Sequence, residues 1–190
     1  PTQGTELCSV VEFLFSLNAI FQQTGDARFM DLLERIAYNA LPGTITEDFT
    51  GHQYDQQANQ VKVSMESRNW YNNGDRANLF GFEPNFGCCL ANMHQGWPKL
   101  IRNAFFMNGQ EELVFGAYMP VSALWQREDG DIRITEETEY PFRDTVTIAF
   151  EMDEPREFTC RIRIPGWCSS ARIEYNGEVI GSEAEDGYVR

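Results

Sequence analysis

The stretch TELCSVVEFLFSLNAIFQQTGDARFMDLLERIAYNALPG, residues 5–43, sets the fold class. Between Glu6 and Gln23 apolar side chains fall at Val10, Val11, Phe13, Leu14, Leu17, Ile20 and Phe21. Spacings of three and four put them along one side of a helix. Thr5 reads as its N-cap, which places Glu6 and Cys8 in the first turn. Gly25 ends this helix, and Asp26 caps the next. The second helix runs to about Leu41, with Phe29, Leu32, Leu33, Ile36, Ala37 and Ala40 turned inward, and Pro42-Gly43 stops it. The segment is an antiparallel helical hairpin.

Downstream the character changes. Residues 42–87 are rich in Asn, Gln, Asp, Gly and Tyr, with little periodicity. A connection this long is usually functional or disordered. The aromatics Tyr54, Trp70, Tyr71, Phe80, Phe82 and Phe86 favour order, and the amides of HQYDQQANQ, residues 52–60, suit a hydroxyl-rich ligand. A third helix is expected to start at the cysteines of EPNFGCCLANMHQGW, residues 83–97, and to continue through Ala91, Leu100 and Ile101, kinked or split by Pro98. Beyond residue 110 the pattern turns to strands at 112–126, 131–140, 145–152, 158–167 and 171–180, which alternate or are β-branched and are separated by turn residues. Such spacing points to an antiparallel β-sandwich. The chain therefore reads as α+β and multidomain, helical over 1–110 and β over 111–190.

The 190 residues are 42 % hydrophobic and 13 % aromatic, enough for a packed core. A net charge of −14 disfavours nucleic acid, whose phosphates need clustered Lys and Arg, and suits a neutral or cationic partner. No apolar run approaches the ~18 residues of a membrane-spanning helix. The opening PTQGTELC is no signal peptide and has no initiating Met, and the closing EDGYVR stops inside a strand-like pattern; both ends read as interruptions.

Five cysteines, an odd number, fit a disulfide framework poorly, so free or metal-held thiols are expected. Adjacent cysteines such as Cys88 and Cys89 rarely bond to each other, because a vicinal disulfide strains the peptide between them. The pair is inert, bonded elsewhere, or holding a metal. Glu6 and Cys8 lie two apart near the start of the first helix, and with Cys88 and Cys89 they offer three thiolates and one carboxylate, a donor set that zinc accepts. Helix starts also lower thiol pKa values. Against this stands the reading of all of them as buried, inert thiols. His52 and His94 are the only histidines, too few for a His-rich metal site. No phosphate-binding or dinucleotide motif is present. Cys160 and Cys168 read as small core residues, and Glu12 and Glu34 as members of exposed helical faces.

The order GTELC, TGDARFMDLLERIAYNALPG, CCLAN, YP and RIRIPGW resembles glycoside hydrolase family 127, the β-L-arabinofuranosidase family, along nearly the whole chain. The resemblance implies the last helices of an (α/α)6 barrel followed by the start of a β-sandwich, truncated at both ends. It implies a zinc ion held by Glu6, Cys8, Cys88 and Cys89, with Cys88 as the nucleophile of a retaining hydrolase acting on an oligosaccharide or glycan. The family's acid/base glutamate corresponds to a position before Pro1, so the chain alone is expected to be inactive. Within the polar loop, Tyr54 and Asn59 are the expected sugar contacts. The alternative is a carbohydrate-binding protein without catalysis, in which the zinc is structural.

Overall fold

The computed structural model describes residues 4–58, 60, 62–67, 74–82, 86–109, 111–181 and 184–190. Among the described residues four α-helices are α1 (Leu7–Thr24), α2 (Ala27–Arg35), α3 (Gly87–Met93) and α4 (Gly96–Arg102). Short strands β1 (Thr5–Glu6), β2 (His52–Gln53), β3 (Asp55–Gln56) and β4 (Phe80–Gly81) stand among them. The rest is β: β5 (Phe105–Asn108), β6 (Glu112–Phe115), β7 (Val121–Trp125), β8 (Ile132–Thr138), β9 (Val146–Glu151), β10 (Thr159–Arg163), β11 (Ile173–Tyr175), β12 (Glu178–Ile180) and β13 (Tyr188–Val189). The chain divides into two compact units, one formed by residues up to Ala19 with Leu32–Leu100, the other by Ile20–Asp31 with Ile101–Arg190.

The break between α1 and α2 follows from two residues. Gly25 takes φ +64°, the left-handed turn that costs a glycine nothing, and its N–H donates to Phe21 O at 2.8 Å. Asp26 Oδ1 accepts the Arg28 N–H at 3.0 Å, capping α2. After Arg35 the helix widens into a π turn, Ile36–Ala40, closed by Leu41 N–H to Ile36 O at 3.0 Å, and Pro42 then ends it. The third helix is split, as Pro98 requires, but the break falls at His94 and Gln95, ahead of the proline. Pro98 sits inside the first turn of α4, where its missing N–H would have had no intrahelical acceptor.

In the first unit Leu7, Val10, Val11, Leu14 and Leu17 of α1 are buried, with Leu33, Ala37, Leu41, Tyr54, Cys89 and Leu100. The stripe is narrower than the periodicity implies, because Phe13 is 46 % exposed. Glu34, expected on an exposed face, is 4 % exposed. It is buried beside Leu33 of α2.

The second unit holds a four-stranded sheet in the order β13-β10-β6-β5 and an antiparallel meander β7-β8-β9. Leu113, Phe115, Tyr118, Trp125, Ile132 and Ile134 form its core, with Cys160 packed at the margin. Cys168 is instead half-exposed in the turn after β10, its N–H bonded to Pro165 O. Strand spacing alone implies antiparallel pairing throughout; β6 and β10 pair in parallel, Cys160 opposite Leu113. The β7–β9 meander lies between them in sequence and supplies the long crossover that a parallel pair needs.

Arg163 is the largest fully buried side chain of this unit. Its Nη1 contacts Asp31 Oδ1 at 2.5 Å and its Nε donates to Gly116 O at 2.6 Å. Asp31 also accepts the Gly166 N–H at 3.0 Å, and the Tyr118 hydroxyl donates to Arg163 O. Removing one partner of a buried pair leaves the other charge uncompensated, at a cost of about 3–5 kcal/mol. Asp31 is partly open to water, so D31A should fall at about the lower bound, 3 kcal/mol, in urea denaturation. A D31A midpoint equal to the parent's would show that water, not Asp31, neutralises Arg163.

Candidate metal-thiolate site

Glu6 is the last residue of β1, and Cys8 is in the first turn of α1. Strand β1 pairs antiparallel with β3, Thr5 opposite Gln56 and Glu6 opposite Asp55. Thr5 is therefore extended and not an N-cap, and Glu6 precedes the helix rather than opening it. The first helical amide is satisfied from the backbone instead: Leu7 N–H donates to Tyr54 O at 2.9 Å. Close approach of the two strands needs a glycine, since a Cβ at Gly4 would lie 2.6 Å from Asp55 Cγ.

Cys88 and Cys89 occupy the first turn of α3, after Phe86, whose ring stacks on Tyr54 at 3.9 Å between centroids and 18° between planes. The two sequence-distant pairs meet. Cys8 Sγ lies 3.5 Å from Cys89 Sγ, Cys88 Sγ lies 3.8 Å from Glu6 Oε1, and all four donor atoms lie within 4.8 Å of one another. Zinc–sulfur bonds of about 2.3 Å around a tetrahedron imply sulfur–sulfur edges of about 3.8 Å. The four donors thus lie close enough together to hold one metal ion. Cys88 is exposed, Glu6 and Cys8 are half-buried and Cys89 is fully buried.

For Cys8 and Cys89 burial reverses the lowering expected at a helix start. Burial pushes Cys8 up, against a hydrogen bond from Asn92. Burial pushes Cys89 up as well, and its contact with Cys8 adds to the shift. Desolvation of a thiolate outweighs a helix terminus here. A bound divalent ion supplies the missing positive charge and deprotonates its thiol ligands.

The polar loop serves this site in a way composition did not reveal. Gly51, His52, Gln53, Tyr54 and Asp55 are all buried. The amides expected to meet a ligand are used internally: Gln53 Nε2 donates to Asn78 O at 2.7 Å, and Gln56 Nε2 to Ala40 O at 2.8 Å. Tyr54 is 5 % exposed. Asn59, Trp70 and Tyr71 lie outside the described residues. Asp55 was not singled out by sequence, yet it faces Glu6 across the ladder; burial first, then the Glu6 charge, raise its carboxyl to about 6. The signal that marks it is the unbroken polar run at 52–57, too long for a half-exposed strand and too regular for a tip.

The family model for the GH127 β-L-arabinofuranosidase catalytic domain matches residues 1–102, and that for the GH127 middle domain matches residues 112–190. The chain belongs to glycoside hydrolase family 127. Its fold is similar to that of a GH127 β-L-arabinofuranosidase from Geobacillus stearothermophilus T6, with a TM-score of 0.77 and 21 % identity over 97 % of this chain. It is also similar to the GH127 β-arabinofuranosidase BT3674, with a TM-score of 0.74 and 23 % identity over 97 % of this chain. In both cases the match spans 29 % of the longer chain. No curated protein matches.

Elemental analysis of protein purified under reducing conditions should find about one zinc per chain, and a chelator should lower the melting temperature. Metal-free, fully folded protein would rule the site out. A second expectation concerns pH. His52 is 1 % exposed, its Nε2 has no hydrogen-bond partner among the described residues, and burial holds its pKa below the usual imidazole value. The unfolded imidazole binds protons from about pH 6.5 downward while the folded one resists. Stability from His52 is therefore complete above that pH and is lost as pH falls through the lowered folded value. Asp55 acts with the opposite sign in the same window, so the difference between parent and H52Q isolates the histidine. The parent should lose more melting temperature than H52Q between neutral and mildly acidic pH; parallel curves would exclude the effect.

Proposed function

We propose that this chain is part of a retaining glycoside hydrolase in which Cys88 is the nucleophile. The helices then form the end of an (α/α)6 barrel and the strands open a β-sandwich, with the border between them near residue 110. The substrate is a β-L-arabinofuranoside or a related sugar in a glycan. The observation that carries the reading is the graded burial of the three clustered thiols: Cys89 is sealed, Cys8 is half-covered, and only Cys88 of these three is exposed.

Glu6, Cys8, Cys88 and Cys89 would hold the zinc, which, when bound, keeps the sulfurs anionic and in place. The Cys88 sulfur attacks the anomeric carbon, forming a carbon–sulfur bond as the glycosidic carbon–oxygen bond breaks. The leaving oxygen takes a proton from a general acid. Water then attacks the same carbon, expels the Cys88 thiolate and loses its proton to the same group acting as base. Two inversions give net retention, with sulfur in the place usually held by a carboxylate. Cys89 and Cys8 position Cys88 and take no part in bond making. The reading assigns no general acid/base among residues 1–190, so the chain alone turns over no substrate.

In the full-length protein, C88S should lower turnover of an aryl β-L-arabinofuranoside by a factor of about 10³ or more while the protein keeps much of its fold. A large loss of stability with turnover retained per folded molecule would instead identify Cys88 as a structural ligand.

A further inference from the structure

The turn after β8 and the Pro-Gly-Trp segment after β10 enclose a cleft of about 400 Å³, lined by Tyr140, Pro141, Phe142, Arg143, Asp144 and Trp167. Its volume falls within the range of small-ligand pockets, about 300–1,000 Å³. Both segments are among those that carry the family resemblance, and the thiol chemistry uses neither. Phe142 is 91 % exposed and Trp167 is 61 % exposed. A single exposed apolar side chain is ordinary, but two large aromatics lining one cleft mark a contact surface.

The cleft is built rather than loose. Thr138 Oγ1 accepts the Tyr140 N–H at 3.0 Å and donates to Thr145 O at 2.7 Å, tying the two ends of the turn together. Glu139 O accepts the N–H groups of Phe142 and Arg143 at 2.8 and 3.2 Å. The Tyr140 ring packs edge-on to core Tyr118, and Trp167 lies nearly parallel to it at 21°. The aromatic wall is thereby anchored to the hydrophobic core at one end and open to water at the other.

We propose that this cleft is a binding subsite for a neutral polysaccharide chain. A sugar ring offers an apolar C–H face and a rim of hydroxyls. The indole and phenyl faces take the first, and the Arg143 guanidinium and Asp144 carboxylate, both at the exposed rim, take the second. A net charge of −14 opposes polyanionic chains, which leaves uncharged glycans as the fitting class. The proposal rests on the reading of the protein as a glycan hydrolase and adds a second place where the substrate polymer is held.

The test is affinity electrophoresis of the full-length protein carrying C88S, through gels containing soluble arabinan or, separately, polygalacturonate. Arabinan should retard C88S, and adding W167A or F142A should each raise the apparent Kd about tenfold. The melting temperature should stay unchanged, because both side chains are exposed. F142A keeps the test decisive if W167A does not fold. Equal retardation of all variants, no retardation by arabinan, or retardation by polygalacturonate alone would overturn the proposal. Turnover is not read in this assay. A failure of Cys88 as nucleophile would show only in hydrolysis rates and would leave the electrophoretic result standing.

Discussion

The first unit depends on one short ladder. Strand β1 is two residues long, yet its pairing with β3 fixes Glu6, satisfies the opening amide of α1 and sets Cys8 in the first turn. From the other side, Tyr54 of the same loop stacks on Phe86 and steadies the approach to α3, where Cys88 and Cys89 stand. Donors separated by 82 residues in sequence are brought together by a loop that carries none of them. Ordering so polar a segment costs conformational entropy of about 1–2 kcal/mol per residue. Buried hydrogen bonds such as Asn78 Nδ2 to Asp55 O, at 2.8 Å, offset part of that cost. An ion at the four donors would offset more, since metal binding is coupled to folding.

Exposure, more than identity, distinguishes the three thiols. A sulfur that both holds a cation and reacts with a sugar must be reachable, and a sulfur that only holds the cation gains from being sealed. The adjacent pair achieves both within one helical turn, because successive residues of a helix point about 100° apart. Cys89 enters the core while Cys88 faces outward. The vicinal arrangement therefore sets one sealed and one accessible sulfur side by side at the same cluster.

Much of this was legible in the sequence, for identifiable reasons. The helical hairpin and its breakpoints at Gly25, Asp26 and Pro42 rest on local chemistry that tertiary packing did not override. The candidate metal donors were legible as residue types in pairs, and their convergence required the fold. What composition misread was the loop at 52–57. Its amides and acids look like surface groups, yet the loop is buried, and the Gln53 and Gln56 amides bond to backbone carbonyls. The N-cap at Thr5 failed for a related reason, since the Tyr54 carbonyl, next to β3, accepts the first helical N–H in place of a local side chain. The parallel pairing of β6 and β10 was invisible to spacing, which records strand lengths and not their directions. Glu34 was misplaced because charge outweighed helical phase in the reading, whereas its position one residue after Leu33 puts it on the inward arc.

The Asp31–Arg163 pair has a consequence for how this architecture can be inherited. Its members are 132 residues apart, and the contact lies within the unit that also contains Gly25, whose carbonyl accepts the Tyr188 hydroxyl at 3.0 Å. The β unit is not a cassette. A gene segment encoding only its strands would leave Arg163 buried without its counter-ion and Tyr188 without its acceptor. Transplanting this unit intact therefore requires carrying residues 20–31 along with the strands.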